Sequence, residues 1–135
     1  MKHLFTFFII PLLLMSAISQ QENFIGKWAG EDQGQLGYIM FDDDGYAAFE
    51  IQGQVMGGKE FTMNGEKGKM NYTINFETTP MEIDFTMTKI ESGESKKILG
   101  IAEFKDMNTI KFDISFGDIR PSDFGDNSIT LKRVE

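Results

Sequence analysis

The chain has 135 residues, with 13 lysines and arginines against 21 aspartates and glutamates, a formal net charge of −8, no cysteine and one histidine. A surface of that sign repels nucleic acid and anionic lipid head groups, so neither is expected as a partner. With no thiolate and the one imidazole at His3, nucleophile triads and ordinary zinc, copper or haem ligand sets are excluded from the body of the chain, and no metal or cofactor is expected.

Lys2 and His3 precede "LFTFFIIPLLLM", an apolar run too short to span a bilayer, and Ala17 and Ser19 fit the small-residue positions of a signal-peptidase site. Residues 1–19 are therefore read as a signal peptide, and residues 20–135 as one exported domain, periplasmic or extracellular. No cysteine stands at the cut to carry a lipid anchor. No later apolar run approaches the ~20 residues of a membrane helix, so no membrane insertion is expected. A domain of this size buries a core without disulfides.

From Phe24 onward the chain is a succession of short segments of β-branched and aromatic residues, each closed by a glycine, asparagine or aspartate turn signal. "FIGKWAG", "LGYIMF" and "GYAAFEI" come first. Between the last two lies "FDDDGY", whose aspartates and glycine invite a calcium reading. Laid on the EF-hand loop with Gly45 as its glycine, the first ligand position falls on Met40 and the twelfth on Ile51, which cannot ligate. A solvated hairpin turn is the better account.

The alternation then becomes strict. "MNYTINF" sets Met70, Tyr72, Ile74 and Phe76 against Asn71, Thr73 and Asn75, and "MEIDFTM" sets Met81, Ile83, Phe85 and Met87 against Glu82, Asp84 and Thr86. A period of two means half-buried strands. "KILGIAEF", "TIKFDISF" and "SITLKRV" complete about eight strands. Tight turns at "DDDG", "NGEKG", "ESGES" and "KDMN" make neighbours antiparallel. Such a sheet buries its apolar face by curling on itself or folding into a sandwich, with polar faces outward, the reverse of an outer-membrane barrel. Asn71-Tyr72-Thr73 is a formal glycosylation sequon, relevant only in a eukaryotic secretory pathway.

The inward residues are rich in phenylalanine and methionine, and flexible thioethers suit varied apolar guests. Candidate wall residues are Tyr38, Met40, Phe49, Met70, Tyr72, Ile83, Phe85, Met87, Phe104 and Phe112. An eight-stranded closure leaves room either for packed side chains or for one small ligand. Carboxylates, hydroxyls and lysines are the remaining proton-transfer groups; no spacing singles out a carboxylate pair, so no catalytic residue is assigned and no enzyme is expected.

Gly26-Lys27-Trp28 forms a Gly-x-Trp, and Arg133 lies in phase with Ile129 and Leu131 on the last strand. The pair resembles the lipocalin (calycin) signature, which implies a single antiparallel up-and-down β-barrel whose tryptophan plugs one end beneath a terminal-strand arginine. A guanidinium over an indole face gains about 0.5–2 kcal/mol. "TTPMEIDF", "ILGIAEF", "RPSDF" and "LKR" are similar in order and spacing to a small exported bacterial family of lipocalin-like domains best known from planctomycetes. That resemblance spans residues 26–133 and brings no established activity or binding residue with it.

In "DIRPSDFGD", Pro121 fixes its own φ and pushes Arg120 toward an extended conformation, while Phe124 offers an apolar anchor. The expectation is a loop that folds back over an open barrel end, with Arg120 bonded to backbone carbonyls or to Asp118 or Asp123. Bordering an open mouth instead, Arg120 would hold a carboxylate. The sequence thus points to a secreted, non-enzymatic lipocalin-like protein binding a small apolar or fatty-acid-like ligand. The alternative is an envelope or extracellular protein-interaction module with a filled core, for example an inhibitor.

Overall fold

The computed structural model describes residues 23–32, 35–126 and 128–134; the expected signal peptide and its cleavage site lie outside them. The strands are β1 (Gly26–Asp32), β2 (Gln35–Phe41), β3 (Ala47–Ile51), β4 (Gln54–Gly57), β5 (Phe61–Met63), β6 (Glu66–Asn75), β7 (Met81–Lys89), β8 (Ser95–Asp106), β9 (Thr109–Ser115) and β10 (Ile129–Arg133). They form one sheet in the order β4-β3-β2-β1-β10-β9-β8-β7-β6-β5, an antiparallel meander in which β1 and β10 close the chain's two ends on each other. The architecture is a nearly closed ten-stranded β-barrel rather than one of about eight strands. β4 and β5 escaped the pattern reading because four and three residues are too few to display an alternation.

The remaining seam, between the two outermost strands, closes through β6. Tyr72 N–H donates to Gly45 O at 3.0 Å, and Met70 N–H to Gly58 O at 2.9 Å. Asn71 of the sequon faces outward here, and its amide donates to Gly45 O at 3.4 Å. Gly57 is required at this crossing: its φ is +126°, and a Cβ would lie 2.5 Å from Ala47 O. The "DDDG" segment is a hairpin turn, with Asp42 Oδ1 accepting from the backbone N–H groups of Asp44 (3.0 Å) and Tyr46 (2.8 Å).

Strand register assigns the inner face. Trp28 opposes Ile39 and Arg133, Ile39 opposes Phe49, and Tyr72 opposes Phe85, which opposes Ile98. Trp28, Phe24, Phe85, Phe112, Met70, Ile83, Ile110 and Leu131 are all fully buried. The other face carries Lys27, Glu50, Asp84 and Lys97, which form ion pairs across strands at 3.8 Å (Lys27–Glu50) and 3.9 Å (Lys97–Asp84). Exposed pairs of this kind contribute little to stability, but they mark this face as wetted.

One end of the barrel, the base, is sealed. The Arg133 guanidinium lies 4.3 Å from the centroid of the buried Trp28 ring, the arrangement expected from the first and last strands. Its nitrogens donate to the carbonyls of Asn23, Ile25 and Met107 and to Asn108 Oδ1. Trp28 Nε1–H donates to Phe24 O at 2.9 Å. One arginine thus ties the segment before β1, the β8–β9 turn and the last strand into a floor. Its planar fork of donors makes this geometry available to arginine and not to lysine.

The loop after β9 departs from expectation. Instead of folding over an open end, residues 116–126 run down the outside of the barrel across β7, β8 and β9. Arg120 Nη1 donates to Gly100 O (3.0 Å) and Ile83 O (3.3 Å), and it lies 2.7 Å from Asp84 Oδ1, with Glu82 Oε1 3.8 Å from Nε. Phe124 sits under Lys111, and Gly125 N–H donates to Asp113 Oδ2 at 3.4 Å. Under this strap two outward residues, Ile101 and Asp113, are buried. That apolar Ile101 on the outer column of β8 explains why the strap lies where it does.

Among the described residues, no helix is long and apolar enough to cross a membrane.

Candidate functional site

Eight of the candidate wall residues, Phe49, Met70, Tyr72, Ile83, Phe85, Met87, Phe104 and Phe112, occupy inward register positions. Tyr38 and Met40 do not: they pair with Ala29 and Lys27 on the outer face, and Lys27 Nζ rests 4.3 Å from the Tyr38 ring centroid. In "LGYIMF" both columns are largely apolar, so alternation cannot choose the buried one. The pairing of Ile39 with Trp28 makes that choice and sends Ile39 and Phe41 inward. Arg120 also stands apart from the wall, on the strap, with its donors turned to Asp84 and two strand carbonyls. Arg120 bonds backbone carbonyls, one of the two expected partnerships, but its carboxylates are Asp84 and Glu82 rather than Asp118 or Asp123 because the strap packs on the sheet rather than on itself.

The inward aromatic rings meet across the barrel instead of lining a void. Phe41 and Phe85, from β2 and β7, have centroids 6.0 Å apart; Phe85 lies 5.1 Å from Phe49 and 6.1 Å from Phe112; Phe24 lies 4.8 Å from Phe104. Such separations are direct edge and offset contacts. Tyr72 belongs to the same cluster, 4.9 Å from Phe41, with its hydroxyl donating to Asp42 O at 2.8 Å. Burial pushes the Tyr72 phenol above its ordinary 10.0, with Asp42 and Asp43 adding to the effect.

Toward the opposite end the inward columns change character. Above Met70 the inner face of β6 continues to Gly68 and Glu66; above Met87, β7 ends on Lys89; above Ile98, the first inward position of β8 is Lys96, opposite Met87. Charged side chains at interior positions persist only where water reaches them. Glu66 and Lys89 pair at 3.4 Å and are each more than half exposed. This end is therefore an open mouth.

Within it lies a cleft of about 370 Å³ between the upper ends of β5 to β8, a size within the range of small-ligand sites. Its apolar lining comes from Phe61, Met63 and Met87, and its polar lining includes Lys89, Glu94 and Lys96. Gly68 permits the lining to form: Phe61 lies directly opposite it, and a Cβ there would come within 3.2 Å of the Phe61 ring. Of the residues singled out by sequence, only Met87 reaches this cleft. Phe61 and Met63 sit on a three-residue strand with no visible period. The available signal for Lys96 was its place in the alternating column that begins β8.

The described hairpins at this end also carry exposed apolar residues: Ile51 and Val55 on β3–β4, Met63 on β5–β6, and Ile90 on β7–β8. Phe116 and Ile119, 66% and 82% exposed, lie on the strap that follows β9. Among the described residues no group of three or more His, Cys, Asp or Glu side chains is placed to hold a metal ion.

No family model, no curated protein and no solved structure matches the chain; the geometry alone carries a single antiparallel, nearly closed β-barrel, and it is consistent with a generic calycin-like barrel without assigning the chain to one.

Proposed function

We infer that the protein is an exported, non-enzymatic binding module of lipocalin-like type that takes the apolar part of a small ligand at the open end of its barrel. The observation that carries this reading is the cleft walled by Phe61, Met63 and Met87, set above a core whose rings already touch. An apolar group entering it gains about 25 cal/mol for each Å² withdrawn from water. The arginine over the tryptophan supports the lipocalin-like part of the reading, since it joins first and last strands at the closed end. The leader-like residues 1–19 support export, and the absence of cysteine together with the position of His3 supports the non-enzymatic part. Native mass spectrometry of protein purified from its own host tests the binding role without naming a compound. Retained small molecules are expected; a ligand-free mass, with no displacement of a fluorescent fatty-acid analogue, would count against it.

A second reading has one observation in its favour. The exposed Ile51 and Ile90 on hairpin tips, and Phe116 and Ile119 on the strap, suit a protein partner in the envelope or outside the cell. Under that reading a Phe116→Ser, Ile119→Ser double variant loses a partner that the parent protein retains, while its thermal stability stays unchanged.

A further inference from the structure

The chemistry of the mouth narrows the ligand class, on the footing of the binding role just given. Three lysines border the cleft: Lys67, Lys89 and Lys96. Lys67 is matched by Glu60 at 4.0 Å and Lys89 by Glu66 at 3.4 Å. For Lys96, among the described residues, no carboxylate oxygen lies within the 4.0 Å of an ion pair. It stands at the first inward position of β8, directly across from Met87. An ammonium therefore stands beside the apolar wall with no carboxylate in ion-pair range, although Glu66 and Glu94 border the same cleft.

We propose that Lys96 receives the anionic head group of a single-chain amphiphile, an alkyl carboxylate, whose tail lies on Phe61, Met63 and Met87. The arrangement separates the two chemistries: Lys96 holds the water-facing end of the inward β8 column, with Ile98 behind it on the same strand and Met87 across from it on β7. Glu94, in the turn preceding β8, borders the same cleft and opposes an anion there. The two side chains thus act on the head group with opposite sign. Lys96 attracts it from an inward position and Glu94 repels it from the rim. Exposed ion pairs are worth up to about 1 kcal/mol, so each effect corresponds to about threefold to fivefold in affinity. Both should shrink at high salt, where the screening length falls to about 3 Å at 1 M.

Calorimetric titration of the whole protein with decanoate and with decan-1-ol, which differ only at the head group, tests the assignment. The parent protein binds decanoate about threefold to fivefold more tightly than decan-1-ol. Lys96→Gln abolishes that preference by weakening decanoate more than decan-1-ol, and Glu94→Gln increases the preference. Because both residues are exposed, the variants fold as the parent does. A preference that survives Lys96→Gln, or equal binding of the two compounds by the parent, overturns the head-group assignment and leaves the apolar cleft standing. Failure of both compounds to bind the parent overturns the binding role itself, and the assignment with it.

Discussion

The two ends of this barrel are built by the same alternation and put to opposite uses. At the base the charge on the inward column of β10 is fully partnered: Trp28, Phe24, Phe104 and Leu131 pack together, and Arg133 closes them with hydrogen bonds to four separate residues. At the mouth the same columns end in Glu66, Lys89 and Lys96, with exposed hairpin tips beyond. An element that packs to completion contributes stability and has nothing left with which to bind. One left wet and partly apolar contributes little stability and retains a surface for a ligand.

Substitutions at the two ends should therefore separate in kind. Phe85→Ala removes a ring that touches Phe41, Phe49 and Phe112 and should cost about 3–5 kcal/mol in urea unfolding. Met63→Ala at the rim should cost less than about 1 kcal/mol while weakening the binding of an alkyl chain. Equal costs at both positions would erase the distinction between base and mouth.

Arg133→Lys should lower stability by about 1–3 kcal/mol, because the ammonium keeps the charge but cannot bridge Asn23, Ile25, Met107 and Asn108 at once. Arg120→Ala probes the strap. Asp84 Oδ1 is buried, and its 2.7 Å contact with Arg120 is an ion pair without the alignment of a hydrogen bond. Removing the arginine should cost about 1–3 kcal/mol and accelerate amide exchange at Gly125 more than at Met70 in β6. Uniform acceleration would mean the strap does not open on its own.

The smallest effect concerns pH. Because the folded state holds the Tyr72 proton above its ordinary 10.0, the associated stability is present in full below that value and is lost as pH rises through the folded-state titration. A denaturation series above pH 10 should show this decline, and Tyr72→Phe should flatten it.

The strict alternation in "MNYTINF", "MEIDFTM" and "TIKFDISF" placed Met70, Tyr72, Ile83, Phe85 and Phe112 on the inner face, since polar or charged residues filled the opposite column. "LGYIMF" has no such column, and only its pairing with β1 places Tyr38 and Met40 outside. The seal at the base was legible through the resemblance carried by Gly26-Lys27-Trp28 and Arg133, and the pairing of β1 with β10 brings the two side chains together. The cleft was not. It depends on β5, which is too short to show a period, and on where solvent interrupts an inward column, a property of barrel height rather than of local pattern. The strap's course was equally hidden, since Asp84 and Glu82 lie more than thirty residues from Arg120.

The most direct test uses the methionines as reporters, since Met63 and Met87 border the cleft, Met70 lies in the packed interior and Met107 sits at the β8–β9 turn beside the base. In a ¹³C-methyl methionine spectrum titrated with decanoate, resonances of Met63 and Met87 should move while those of Met70 and Met107 hold still. Movement of Met70 with Met63 and Met87 unmoved would put the guest inside the core and contradict the division between a closed base and a receptive mouth.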